Sequence, residues 1–335
     1  MPLPLDLWLH HSRKEVFLLI YLSILIVLIF VWLCVGGYVF FTACKRTKEN
    51  PWLDKQAMEK TIYGKYADSI LEADLWIKNH AHEDVCTDSH DGLKLYATWI
   101  PAQNPKGSIL LAHGYKSCKL LDFGVAFELY HSLGLNILAI DQRSHGRSEG
   151  KYITFGVLES RDVETWIRFF NEKLGGGDLI LSGLSMGAST VMYTADRCLP
   201  DNVKGRIADC GFTSPAQIIA KVFRDTVHFP PGPFLWSAEL FARICEHFSL
   251  YERDSRKTLS QNSLPIILVH GMDDDFVPCK MTRQGYASCG GDKKLLLIKG
   301  AGHGTSFLVE PEQYTQLIKD FLGRTLDALR GTEKL

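Results

Sequence analysis

Hydrophobic positions are spread unevenly along this chain. From Val16 to Phe41, 26 consecutive residues carry no charge. At an α-helical rise of about 1.5 Å per residue this run reaches roughly 39 Å, enough to cross a hydrocarbon core of about 30 Å with some tilt. A helix satisfies its own backbone, and these side chains need no water. Tyr21, Trp32 and Tyr38 suit the membrane interface, where amphipathic rings settle. The run is longer than the apolar region of about 7–15 residues in a cleaved signal peptide, so it reads as an uncleaved single-pass anchor.

Beyond the anchor the pattern changes. Residues 42–80 form a polar, charged connector with helical character, and from about Asp84 short apolar runs alternate with amphipathic stretches. Ser108–Ala112, Leu135–Ile140, Leu179–Ser182, Arg206–Ala208, Pro265–Val269 and Lys294–Ile298 read as buried strands, because their apolar residues are continuous rather than alternating. Between them Leu121–Leu133, Val157–Leu174, Met186–Arg197 and Lys280–Ser288 read as helices, and Pro311–Leu329 as a last one. Asp84–Ser89 and Lys94–Trp99, around Asp91-Gly92, predict an antiparallel hairpin at one edge. Strand–helix alternation of this length predicts an α/β fold, a mostly parallel sheet with helices on both faces. The organisation is then an N-terminal flank (1–15), a transmembrane helix (16–41), a connector (42–80) and one α/β domain (81–335).

Composition changes this picture little. Over 335 residues Lys+Arg is 37 and Asp+Glu is 38, a net charge of -1, with 46% apolar and 22% charged residues. Those values exclude a collagen-like or disordered chain. Near-neutral charge gives no field for gripping nucleic acid. The nine cysteines show no CxxC pair and no framework spacing, so no zinc or redox site is expected, and free thiols in a reducing compartment are. Arg13 and Lys14 precede the anchor, whereas Lys45, Arg46, Lys48, Lys55 and Lys60 follow it. The positive-inside rule therefore leans toward a cytoplasmic C-terminal domain.

Open α/β sheets place function at the C-terminal ends of their strands. After Leu179–Ser182 comes Gly183-Leu184-Ser185-Met186-Gly187, a G-x-S-x-G in which two glycines allow a sharp strand-to-helix turn that presents Ser185. After Pro265–Val269 comes His270-Gly271-Met272-Asp273-Asp274-Asp275, where three carboxylates compete to orient an imidazole. After Lys294–Ile298, His303 stands in a Gly-rich turn, third in the order Ser…Asp…His, and is the candidate general base. After Ser108–Ala112 comes His113-Gly114-Tyr115. The N–H groups of Tyr115 and Met186 are the candidate oxyanion donors, and His113 reads as a brace for that loop.

These motifs, HGY at 113–115, DQRSHGRSEG at 141–150, GLSMG at 183–187, HGMDDDFVP at 270–278 and GAGHG at 300–304, resemble those of α/β-hydrolases over about residues 80–330. The chain is most similar to the membrane-anchored bacterial members grouped as serine aminopeptidase-like or lysophospholipase-like hydrolases. The resemblance implies Ser185 as nucleophile, His303 as base and Asp274 as acid, with Asp209 as an alternative acid. It also implies that Asp141 and Arg143 brace the wall of the site, in a loop where relatives commonly carry Gly in place of Ser144. A short cap of two or three helices is implied at 214–264. There Phe229, Phe234, Leu235, Trp236, Leu240, Phe241 and Phe248 either line an acyl pocket or pack the cap. No metal or organic cofactor is implied.

Three functions follow from these residues: a serine hydrolase cleaving a carboxylic ester or thioester, a peptidase on the same triad, or a non-catalytic membrane-tethered binding domain. The expected partners are a small or lipid-like acyl substrate and the membrane. An aminopeptidase additionally needs an anion for the substrate's ammonium, for which Glu239 and Glu246 are the cap candidates.

Overall fold

The computed structural model describes residues 5–47, 55–60 and 63–326. The chain begins with helix α1 (Leu5–Cys44), followed by α2 (Lys55–Glu59) and α3 (Ala67–Asn79). The sheet then starts with β1 (Glu83–Asp88), β2 (Lys94–Ile100) and β3 (Gly107–Ala112), and continues through α4 (Lys119–Ser132), β4 (Leu135–Asp141), α5 (Glu159–Lys173) and β5 (Leu179–Leu184). Next come α6 (Met186–Met192), β6 (Val203–Asp209), α7 (Pro215–Val227), α8 (Gly232–Glu246) and α9 (Ser255–Ser260). The domain closes with β7 (Ile266–Gly271), α10 (Cys279–Ser288), β8 (Lys293–Ile298), α11 (Ser306–Val309) and α12 (Pro311–Thr325).

The eight strands lie in the order β1-β2-β4-β3-β5-β6-β7-β8. The hairpin strands β1 and β2 are antiparallel, and β2 meets β4 antiparallel. Every pairing from β4 to β8 is parallel. The expected mostly parallel sheet is therefore present, and its continuous apolar runs have a physical cause. Ile109 and Leu111 of β3 pack with Phe127 of α4 and Ile318 and Phe321 of α12 on one face. Leu110 and Ala112 pack with Trp166 and Phe170 of α5 on the other. Both faces are dry, so both side-chain sets are apolar.

Two expected elements differ. The helix expected over Met186–Arg197 stops at Met192. Beyond it, Thr194 and Ala195 close three-residue turns onto Val191 and Met192. The buried Arg206 guanidinium donates to the Thr194 carbonyl at 3.0 Å, fixing this turn instead of a further helical one. The last helix ends at Thr325, and residues 327–329 of the expected span lie outside the described residues. The cap region holds three helices, α7 to α9. The first is set by Ser214, whose hydroxyl accepts from Gln217 N–H, with Pro215 in the first turn.

The N-terminal elements dock on the domain. Ala67 and Ile70 of the connector pack with Leu121 of α4. α1 is exposed along its whole apolar stretch from Val16 to Val31. Its last three turns then enter the fold, where Gly36 and Gly37 lie against Ser237 and Phe241 of α8, and Phe40 and Cys44 are buried. The anchor expected at 16–41 is thus one helix in two surroundings.

Candidate active site

Ser185 caps α6 at the end of β5 with φ 56° and ψ -114°, a strained conformation. Both flanking glycines are required by close approach. A Cβ on Gly183 would lie 2.1 Å from the Gly187 carbonyl oxygen, and one on Gly187 would lie 1.8 Å from that of Ala112. The turn is pinned further by Ser185 N–H, which donates to the Asp209 carbonyl at 2.8 Å.

The structure brings together the three residues that the motifs single out. Ser185 Oγ lies 2.8 Å from His303 Nε2, and His303 Nδ1 lies 2.7 Å from Asp274 Oδ2. An ionised carboxylate only accepts, so Nδ1 carries the proton and Nε2 is left to accept from Ser185. Of the three adjacent carboxylates, Asp274 is buried, while Asp273 and Asp275 are exposed. Asp274 Oδ1 accepts from Phe276 N–H at 3.0 Å and Val277 N–H at 2.8 Å. Its Oδ2 also faces His270 Nε2 at 3.1 Å. Burial opposes ionisation of this carboxyl, but the hydrogen bonds from His270 and His303 outweigh it and hold the group well below the usual carboxylate range. Asp209 does not take this place: its carboxylate accepts from Ser306 at 3.1 Å, and burial pushes it up to about 6.

The loop after β3 is held from several sides. His113 is fully buried. Its Nδ1–H donates to Gly114 carbonyl at 2.9 Å and its Nε2 accepts from Gln142 N–H at 3.2 Å, which makes it the expected brace. Burial lowers its pKa to about 4, so the ring stays neutral. Asp122, which carries no sequence signal, accepts from Gly114 N–H at 2.5 Å and from Ser117 at 2.6 Å. His145 Nε2 accepts from Lys116 N–H at 3.0 Å. Tyr115 N–H, between these anchored neighbours, has no hydrogen-bond partner among the described residues. Arg143 is buried against Asp162 (2.6 Å) and Asp91 (2.9 Å), and Asp141 accepts from Lys119 at 2.8 Å. Ser144 has φ 63°, a left-handed position that suits glycine. Tyr63 of the connector, also missed in the sequence, donates to the His303 carbonyl at 3.3 Å.

A cavity of about 720 Å³ opens over Ser185. Of the expected cap aromatics only Phe229 and Phe234 line it. Leu235 and Phe248 are buried in the cap core, Phe241 packs on α1, and Trp236 and Leu240 face outward. The walls come instead from α7, through residues such as Ile218 and Val222, and from α1, through Val35, Tyr38, Val39, Thr42 and Ala43. Glu239 and Glu246 do not line it. Glu239 instead caps the next loop through Ser249 and Leu250 N–H. Lys116 is the one charged side chain among the described lining residues.

Among the described residues two clusters have donor atoms close enough for a metal, Cys210–Asp274–His303 and His90–Asp91–Asp162. In the first, Asp274 and His303 are already bonded to each other and His303 to Ser185. In the second cluster the Arg143 guanidinium already occupies both carboxylates.

Comparison with known proteins bears on the fold. A family model described as Serine aminopeptidase, S33 matches residues 103–263. The uncharacterized protein YqkD of Bacillus subtilis is 27% identical over 230 residues, covering 68% of this chain and 75% of that protein. A monoacylglycerol lipase of Mycolicibacterium smegmatis is 33% identical over 81 residues, 24% of this chain and 27% of the lipase. Among solved structures, an esterase of Pyrococcus furiosus superposes with a TM-score of 0.61 at 22% identity, covering 74% of this chain and 92% of the esterase.

Proposed function

On the α/β-hydrolase fold that this chain carries, we propose a membrane-anchored serine hydrolase that cleaves a carboxylic ester or thioester through an acyl-enzyme. The observation that carries the reading is the hydrogen-bonded series Ser185–His303–Asp274, at 2.8 and 2.7 Å. Ser185 Oγ attacks the acyl carbon while His303 Nε2 takes its proton. The oxyanion is met by the N–H groups of Tyr115 and Met186, which act where charge develops. His303 then protonates the leaving alcohol or thiol. In the second half it takes a proton from water as the water oxygen attacks the acyl carbon, and returns that proton to Ser185 Oγ as the acyl–oxygen bond breaks and the acid leaves. Asp274 keeps His303 in the required tautomer and stabilises the imidazolium.

The similarity to esterases and a lipase supports an ester substrate. The cavity supports it too, because its described lining is apolar with Lys116 as its one charge. An aminopeptidase site needs a carboxylate for the substrate's ammonium, and neither Glu239 nor Glu246 reaches the lining. α1 is long and apolar enough to span a bilayer, and all nine cysteines are free. Together with the positive charges after the span, these support a catalytic domain on the cytoplasmic side, testable by protease accessibility in intact cells.

The deciding experiment is turnover of 4-methylumbelliferyl butyrate together with labelling by a fluorophosphonate. The wild-type chain turns over the ester and is labelled at Ser185. Ser185→Ala loses the label and at least about 10³-fold of the turnover. A folded wild-type sample that neither labels nor turns over revives the non-catalytic binding domain.

A further inference from the structure

α1 is too short for the bilayer unless part of its docked portion is counted. The stretch exposed on all sides, Val16–Val31, is sixteen residues, or about 24 Å of helix against a core of about 30 Å. It does not extend toward the N-terminus, where Glu15, Lys14 and Arg13 stand, because charges are costly in hydrocarbon. The missing 6 Å or so, about four residues of helix, therefore falls on Trp32–Val35. There α1 is already bound to the cap: Trp32 Nε1 donates to the Pro233 carbonyl, and Gly36 faces Ser237. A tilted helix needs still more of the docked portion.

The cap surface beside this contact is apolar. Trp236, Leu240 and Ile244 recur every four residues on α8, next to Ser237 and Phe241, which meet α1. Trp236 and Ile244 are 66% and 64% exposed. Val227 and Phe229, at the end of α7 and after it, are exposed while also lining the cavity. Exposed apolar surface of this kind marks a partner or a membrane, and here it adjoins a helix whose length demands hydrocarbon at the same level. Val35, at the inner limit of that level, is also the first α1 residue on the cavity wall.

We propose that the cap is seated in the bilayer surface beside α1 and that the cavity receives the acyl chain of an ester lipid from that leaflet, with α1 as one wall of the acyl site. The proposal rests on the serine-hydrolase reading and names its substrate class. Entry from the leaflet moves the chain between two apolar surroundings without exposing it to water, which is the unfavourable step for a long acyl group. The ester carbonyl then stops at Ser185, and hydrolysis adds one water to give the acid and the alcohol.

The test uses the full chain reconstituted in phosphatidylcholine vesicles, with 4-methylumbelliferyl oleate held in the bilayer and 4-methylumbelliferyl butyrate supplied in water. The two esters share a leaving group and differ only in the acyl chain. Val39→Trp thickens the α1 wall and is expected to lower the oleate-to-butyrate ratio of kcat/KM by tenfold or more. Fluorophosphonate labelling shows that the variant is folded. Ile244→Glu, on the outer face, is expected to lower turnover of vesicle-held oleate at least fivefold while butyrate turnover stays within about twofold. Butyrate turnover with an unchanged ratio in both variants overturns the proposal alone, as does wild-type protein that cleaves butyrate but not vesicle-held oleate. Wild-type protein that neither labels nor cleaves butyrate overturns the serine-hydrolase reading and this proposal with it.

Discussion

The hydroxyl of Tyr115 donates to the carbonyl of Ala43 in the last turn of α1 at 2.7 Å. It is one of three such bonds. Lys116 Nζ takes the Thr42 carbonyl at 3.0 Å and Ile153 N–H takes that of Cys44 at 2.6 Å. The carbonyls that a helix end leaves unsatisfied are thus met by the loops around the candidate site. The apolar helix and the loop that offers the Tyr115 N–H are one mechanical unit.

Tyr115→Phe removes that bond and leaves the ring and the backbone N–H in place. The Ala43 carbonyl loses a partner, a loss of about 1 kcal/mol. Fluorophosphonate labelling of Ser185 is expected to persist, while ester kcat/KM falls about three- to tenfold as the loop loosens. An unchanged kcat/KM and melting temperature in detergent count against the coupling.

Asp274→Asn leaves the shape of the site and removes the acceptor for His303 Nδ1–H. Turnover is expected to fall by about 10³–10⁴-fold. Asp209→Asn, which touches Ser306 rather than His303, is expected to cost less than tenfold. Parallel kcat/KM measurements on the two variants separate the two acids, and a larger loss at Asp209 reverses the assignment.

Asp122 gives a pH signature in stability. Burial raises its pKa from the usual carboxylate range to about 6, so folding favours its protonated form. Its contribution is full below about pH 4 and is lost as the pH rises through about 6. Asp122→Asn keeps an acceptor for Gly114 N–H and does not ionise. Relative to wild type it is expected to gain about 2 kcal/mol in denaturant unfolding between pH 4.5 and 7.5. A constant difference across that range contradicts a carboxylate whose burial outweighs its hydrogen bonds from Gly114 and Ser117.

Gly187→Ala drives a Cβ into the Ala112 carbonyl oxygen, 1.8 Å from where it would sit. Backbone cannot yield there without moving β3 or the Ser185 turn, so a destabilisation of about 3 kcal/mol or more is expected. Gly177→Ala, whose Cβ would meet nothing within 4 Å, carries only the strain of its φ of 93° and is the milder control. Melting temperatures that rank the two in reverse contradict the close approach.

Much of this arrangement was legible without coordinates, for local reasons. Gly183 and Gly187 announce a turn that only small residues fit, and Ser185 between them is exposed to chemistry by that turn. Continuous apolar runs announce strands covered on both faces. The acid was less legible, because Asp273, Asp274 and Asp275 are chemically equal until folding buries one among the Phe276 and Val277 N–H groups and two imidazoles. Tyr63 gave no signal, since its partner His303 lies far along the chain. Asp122 gave none although Gly114 and Ser117 are close in sequence, because no local pattern marks a helix carboxylate that turns back onto the preceding loop. The cap aromatics left pocket lining and packing open, because an aromatic residue satisfies a core, a pocket wall or an outer apolar face equally well.

The sequence by itself determined the order of the elements, the sharp turn at Ser185, the Gly-rich turn at His303 and the presence of one long apolar helix, because each depends on neighbours within a few residues. Tertiary structure alone decided that β4 lies between β2 and β3, which carboxylate meets His303, and what surrounds each part of α1. Apolar side chains ask only to leave water, and lipid and protein meet that demand alike. Only the docked position of α8 separates the stretch of α1 that is left bare from the stretch that walls the cavity over Ser185.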